Sequence, residues 1–150
     1  MSAQIEILLV EDSPSDQLLA KTALAEAKLP MRLHIVPDGV EAMAFLRAEG
    51  KYHAAVRPDL ILLDLNLPRK DGRQVLAEIK ASEALKRIPV VILTTSQSEQ
   101  DMHQAYGLHA NCYIAKPVNF DDFKSAVQSV QDFWFHTVRL PGRANRPDRP

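Results

Sequence analysis

Five short apolar segments punctuate the chain, at residues 5–10, 33–36, 60–63, 90–93 and 112–115. The first, third and fourth are nearly continuous apolar runs, the pattern of strands covered on both faces. Between the segments, apolar residues recur at helical spacing. Ser13-Pro14-Ser15-Asp16 sets a capping serine before a proline at the first helical position, with an acid three residues on. The helix that follows gathers Leu19, Ala20, Ala23, Leu24 and Ala27 on one side. Residues 41–48, with Ala42, Phe45 and Leu46, predict a second helix, and residues 72–81, with Val75, Leu76 and Ile79, a third. Residues 99–107 form a weaker fourth, with Met102, Ala105 and Tyr106, and a fifth starts at Asn119 with Asp122 three residues later. Strand alternating with helix five times predicts an α/β fold: a five-stranded parallel sheet, right-handed crossovers and helices on both faces. Residues 48–58 are a longer connection than this plan needs and predict an extra turn and loop. Residues 141–150 contain three prolines, three arginines and no apolar periodicity, the composition of a flexible tail.

Composition narrows the partners. The 18 basic and 19 acidic residues nearly cancel, so nothing in the net charge of -1 draws the protein to nucleic acid. A single cysteine, Cys112, cannot close an internal disulfide, which fits a reducing interior. No apolar run approaches the roughly 20 residues that span a bilayer, and the first residues lack the features of a secretory signal. A cytoplasmic protein without nucleic-acid or membrane contact is expected. The five histidines are scattered without metal-ligand spacing and read as structural or surface residues.

The informative residues are those at the strand ends. In open parallel sheets ligands bind beyond the carboxyl ends of the strands. Strand one ends in Glu11-Asp12, strand three in Asp64-Leu65-Asn66, strand four in Thr94-Thr95-Ser96 and strand five in Lys116-Pro117. Each has an ordinary explanation singly, since such residues often cap helices. Together they bring three carboxylates, hydroxyls and an ammonium to one edge. Crowded acids repel unless a cation joins them, and Mg²⁺ commonly takes one or two carboxylates plus phosphate oxygens and water. An aspartate nucleophile, a hard cation and cationic side chains are the parts of a phosphoryl transfer.

In these residues the chain resembles the receiver domains of response regulators, the CheY-like group. The resemblance runs from about residue 5 to about residue 135. It rests on Glu11-Asp12, on Asp64 with Pro68 and Asp71-Gly72 after it, and on Thr94, Tyr113 and Lys116-Pro117. Thr94 follows Asp64 by 30 residues and Lys116 follows Thr94 by 22, which is the family's spacing. The resemblance implies a doubly wound, flavodoxin-like sheet of order 2-1-3-4-5 in a receiver domain over residues 1–140. It implies Asp64 as phosphoacceptor and Glu11, Asp12, Asp64 and the Asn66 backbone carbonyl as Mg²⁺ ligands, Glu11 directly or through water. Lys116 would pair with the phosphoryl group, Thr94 would hydrogen-bond it, and Tyr113 would turn inward when Thr94 moves. The protein would be no metabolic enzyme but a switch, accelerating only its own phosphorylation and dephosphorylation, and its partner would be a sensor histidine kinase.

Two features depart from the smallest receivers: Glu11 replaces the commoner aspartate, and extra residues fall around 51–57. The sequence neighbourhood and the segment from Phe133 to Pro141 resemble the regulators paired with phytochrome-type kinases. In the fifth helix, Phe120, Phe123, Val127, Val130 and Trp134 form a stripe that docks on the sheet. Ala126, Phe133 and Val138 add surface beyond it, which predicts a homodimer through strand five and helix five. A haloacid-dehalogenase-type hydrolase is the competing enzyme reading. It would need an acid two residues after the nucleophile, where this chain has Asn66. A pseudo-receiver that takes no phosphate is opposed by the intact acids, threonine and lysine.

Overall fold

A computed structural model describes residues 4–26, 31–95, 112–116 and 121. Five strands, β1 (Ile5–Val10), β2 (Met31–Val36), β3 (Leu60–Asp64), β4 (Val90–Thr95) and β5 (Cys112–Lys116), form one sheet of order β2-β1-β3-β4-β5. All four pairings are parallel. The sheet therefore has the expected doubly wound order, and each strand falls on its expected apolar segment. Three helices are described, α1 (Pro14–Glu26), α2 (Gly39–Leu46) and α3 (Gly72–Ala81). The expected fourth and fifth helices and the tail at 141–150 lie outside the described residues.

Alternation along the strands sorts the core into two layers. Leu8 and Val10, Ile61 and Leu63, Val90 and Ile92 face one side, where they meet Ala42, Met43 and Phe45 of α2 and Val75, Leu76 and Ile79 of α3. Ile7 and Leu9, Leu60 and Leu62, Val91 and Leu93 face the other, against Ala20, Ala23 and Leu24 of α1. A strand buried on both faces favours apolar residues at nearly every position, which is why β1, β3 and β4 read as runs rather than alternations.

Two helices differ from expectation. In α1, Leu19 is 44% exposed. The helix lies on the sheet through Ala20, Ala23 and Leu24, and Leu19 stands a step of about 100° to the side of Ala20. In α2 the helix begins two residues before the expected start, because an Asp38 carboxylate oxygen accepts the Glu41 N–H at 2.8 Å and caps it. It ends sooner, and Ala48 adopts φ 54°, outside the helical region. The extra segment makes a short 3₁₀ turn, Gly50–Tyr52, as the length of the connection implied. This turn folds back on α2: the Tyr52 ring meets Phe45 edge-on at 5.4 Å, and its hydroxyl donates to Glu41 Oε1 at 2.5 Å.

α3 begins where Asp64 ends its strand, and Gly72 makes the approach possible. A Cβ at Gly72 would stand 2.3 Å from the Asp64 carbonyl oxygen and 2.6 Å from Leu65 Cα, both backbone atoms. Asp71 caps this helix in a reciprocal box with Gln74.

Helix propensity alone favours alanine over glycine by up to about 1 kcal/mol. The clash reverses that sign: Gly72→Ala is expected to destabilise the protein by about 2 kcal/mol, read from the urea midpoint. Burial first, and then the bond to Glu41, push the Tyr52 hydroxyl up from 10.0 to about 12. The folded state thus favours the neutral phenol, and its contribution is complete below pH 10.0 and lost as pH rises toward 12. Tyr52→Phe is expected to cost about 1 kcal/mol at neutral pH. In urea titrations, the gap between the two proteins should close as the pH climbs through that window.

Candidate functional site

The chain leaves β1 for β2 on one side of the sheet and returns to β3 on the other. The crevice between the carboxyl ends of β1 and β3 is therefore the switch point of the topology. Val10 pairs with Leu63, so the residues that follow, Glu11 and Asp64, emerge side by side. Glu11, Asp12 and Asp64 each offer a carboxylate oxygen within 4.8 Å of the other two. Glu11 is 1% exposed and Asp64 2%, whereas Asp12 faces solvent.

Each buried acid is held by its own neighbourhood. The Glu11 N–H donates to the Val36 carbonyl at 3.0 Å, which continues the β1–β2 pairing one residue beyond the strand. Its Oε2 accepts the Ser13 N–H at 3.1 Å, and its carbonyl accepts the Gln17 side-chain amide at 2.7 Å. The first turn of α1 thereby orients the glutamate. Asp64 Oδ1 accepts the Asn66 N–H at 3.0 Å, an Asx-type turn that fixes the rotation of the carboxylate. Leu65 donates to the Leu93 carbonyl at 3.2 Å, and Gly72 donates back to the Leu65 carbonyl at 3.0 Å. The loop that carries Asn66 is thus closed at its base.

Sheet register brings the remaining expected residues toward the same edge. Asp64 pairs with Leu93, Thr94 with Ala115 and Thr95 with Lys116. Thr94 and Lys116 stand at the carboxyl ends of β4 and β5, while Tyr113 sits early in β5 opposite Ile92. The side chains of Thr94, Tyr113 and Lys116 lie outside the described residues, as does helix five. Cys112 begins β5, as its place in an apolar segment implied. Of the histidines, His34 bonds Glu6 Oε1 at 2.8 Å and lies 5.3 Å from the Phe45 ring, a structural role, and His53 is exposed.

Sequence reasoning missed the support of the site. Ser13 reads as a helix cap, and nothing in the spacing of Ser13 or Gln17 shows that they hold Glu11. The signal that could have found Asp38 is its likeness to Asp71: each is an aspartate followed by a glycine at a helix start, and each glycine meets a neighbouring backbone at contact distance.

The site suits a hard divalent cation. Glu11 and Asp64 are both removed from water, and carboxylates crowded in this way repel unless a cation joins them. Oxygen ligands from three acids are the donor set that Mg²⁺ or a similar ion takes. Among the described residues, this is the one group of acids, histidines and cysteines able to hold a metal. None of the helices described is long and apolar enough to cross a membrane.

Residues 7–128 match the family model of the response regulator receiver domain. The chain is 53% identical over 135 residues to the response regulator Rcp1 of Synechocystis sp., which covers 90% of this chain and 92% of that protein. Among solved structures it is similar to the phosphorylated cyanobacterial phytochrome response regulator RcpA, at 53% identity and a TM-score of 0.77 over 90% of this chain and 96% of that one. It is likewise similar to the Mn²⁺-bound form of Rcp1, at 52% identity and a TM-score of 0.75 over 89% of this chain and 96% of that one. An acidic crevice at the switch point of a 2-1-3-4-5 sheet and a match of this extent lead to one assignment: the chain belongs to the response regulator receiver domain family, a signalling protein of the Rcp1 and RcpA type.

Proposed function

We propose that Asp64 accepts a phosphoryl group from a partner histidine kinase, and that the aspartyl phosphate switches contacts with other proteins. The observation that carries this reading is the Asp64 carboxylate itself. It is 2% exposed, held by the Asn66 N–H and within 4.8 Å of two further acids. An Asp64 oxygen attacks phosphorus, the phosphorus–nitrogen bond of the donor phosphohistidine breaks, and its electron pair returns to the imidazole, which takes up a proton. Glu11, Asp12, Asp64 and the Asn66 backbone carbonyl would hold Mg²⁺, with Glu11 acting directly or through water. When bound, the ion offsets charge on the phosphoryl oxygens. Lys116 serves as the cationic partner of the phosphoryl group, and the Thr94 hydroxyl as its hydrogen-bond donor. Support for a divalent ion comes from the acidic crevice and from the Mn²⁺-bound form of the similar Rcp1.

Catalysis in this reading is limited to the protein's own phosphorylation and dephosphorylation. Likeness to a phytochrome response regulator supports a phytochrome-type kinase as partner. The dianionic group then reshapes the surface around helix four, β5 and helix five, with Tyr113 following Thr94. Residues 1–140 act as the receiver and 141–150 as a tail, in the cytoplasm, and a second copy pairs through β5 and helix five.

Incubation with Mg²⁺ and acetyl phosphate should give one equivalent of a base-labile adduct, absent from Asp64→Asn and after chelation by EDTA. Retention of the adduct in Asp64→Asn would falsify the assignment, and continuous release of phosphate from small esters would point to a hydrolase instead. For the pairing, sedimentation at micromolar concentration should show dimer that Phe133→Asp abolishes. Monomer alone, with or without phosphate, would end that part of the proposal.

A further inference from the structure

The loop from β3 to α3 carries Asn66 at its base and Pro68, Arg69 and Lys70 at its tip. Arg69 holds φ 66°, in the left-handed region that a residue with a side chain adopts only under constraint. Arg69 Nη1 donates to Asp38 Oδ2 at 3.2 Å, and Asp38, the cap of α2, is only 5% exposed. Beside it, a Cβ at Gly39 would stand 2.1 Å from the Lys70 carbonyl oxygen, so the start of α2 lies directly against the loop backbone. On its other flank, Lys70 Nζ bonds Glu78 Oε2 of α3 at 2.6 Å. Glu78 also binds Arg47 at 3.1 Å.

Nothing in the phosphoryl chemistry uses Asp38, yet it spends one oxygen on its helix and the other on this loop. We infer that Asp38 is a positioning residue for the phosphoacceptor site: through Arg69 it holds the β3–α3 loop in the form that sets Asn66 against Asp64. The inference rests on the proposed role of Asp64 and Asn66. Because the loop is closed at its base by the Gly72–Leu65 bond, a displacement of its tip is passed to Asn66 rather than absorbed at a hinge.

Asparagine caps helices about as well as aspartate, so Asp38→Asn removes the ion pair and keeps the cap. Arg69→Gln removes the same pair from the other side without touching α2. For both variants, the Mg²⁺ concentration that half-saturates labelling by acetyl phosphate should rise about tenfold, the low end for residues that orient a ligand-bearing group. The double variant should be no worse than either single one. Amide hydrogen exchange at Asn66, measured without metal or phosphate, should speed up in all three while the thermal midpoint stays near that of the parent. Unchanged half-saturation and exchange, additive effects, or a loss that merely follows the thermal midpoint would each overturn the role of Asp38. Failure of the parent protein to label would instead count against the Asp64 reading.

Discussion

The enforced proximity of Glu11 and Asp64 is the constraint on which the rest of the structure turns. Parallel pairing of β1 with β3 sets Val10 against Leu63, and the next residue on each strand is an acid. Both acids are almost wholly buried, and carboxylates crowded in this way repel unless a cation joins them. A fold retains such an arrangement only if something cationic offsets it. The three acids are together the donor set that a divalent ion takes.

That arrangement would be wasted on a floppy frame. Below the site, the two core layers grip β1, β3 and β4 from both faces, so the strand ends cannot drift apart without opening the core. Around it, backbone donors hold the carboxylates: Ser13 for Glu11 and Asn66 for Asp64. Two aspartate–glycine pairs do parallel work at the helix starts. Asp71-Gly72 lets α3 begin against the Asp64 backbone, and Asp38-Gly39 lets α2 press on Lys70. In both, the aspartate satisfies the helix end while the glycine removes the atom that would hold the neighbouring backbone away.

Much of this was legible in the chain. The apolar runs at β1, β3 and β4 located the strands, since burial on both faces leaves no room for polar residues. The acids after β1 and β3 pointed to the crevice where Glu11, Asp12 and Asp64 meet, because functional groups in such sheets gather at the carboxyl ends. Other features were misread for local reasons. Leu19 looked like core because apolar spacing cannot tell the centre of a buried stripe from its flank. The start of α2 lies two residues before the expected one, because the cap is Asp38, which the Asp-Gly pair shared with Asp71-Gly72 hints at and the bond to Glu41 fixes.

By itself, then, the sequence determined the strands, the three described helices and the edge of the sheet where acids gather, which follow from periodicity and spacing along one dimension, while the part expected of Asp64 came from the resemblance to receiver domains. Tertiary structure alone decided that Glu11 is buried while its neighbour Asp12 is exposed, and that Tyr52 folds back onto Glu41. It alone decided that Asp38 reaches Arg69 across 31 residues of chain. These depend on how strands stack side by side and how helices press on loops, and such distances are set by packing in three dimensions, which no local pattern encodes.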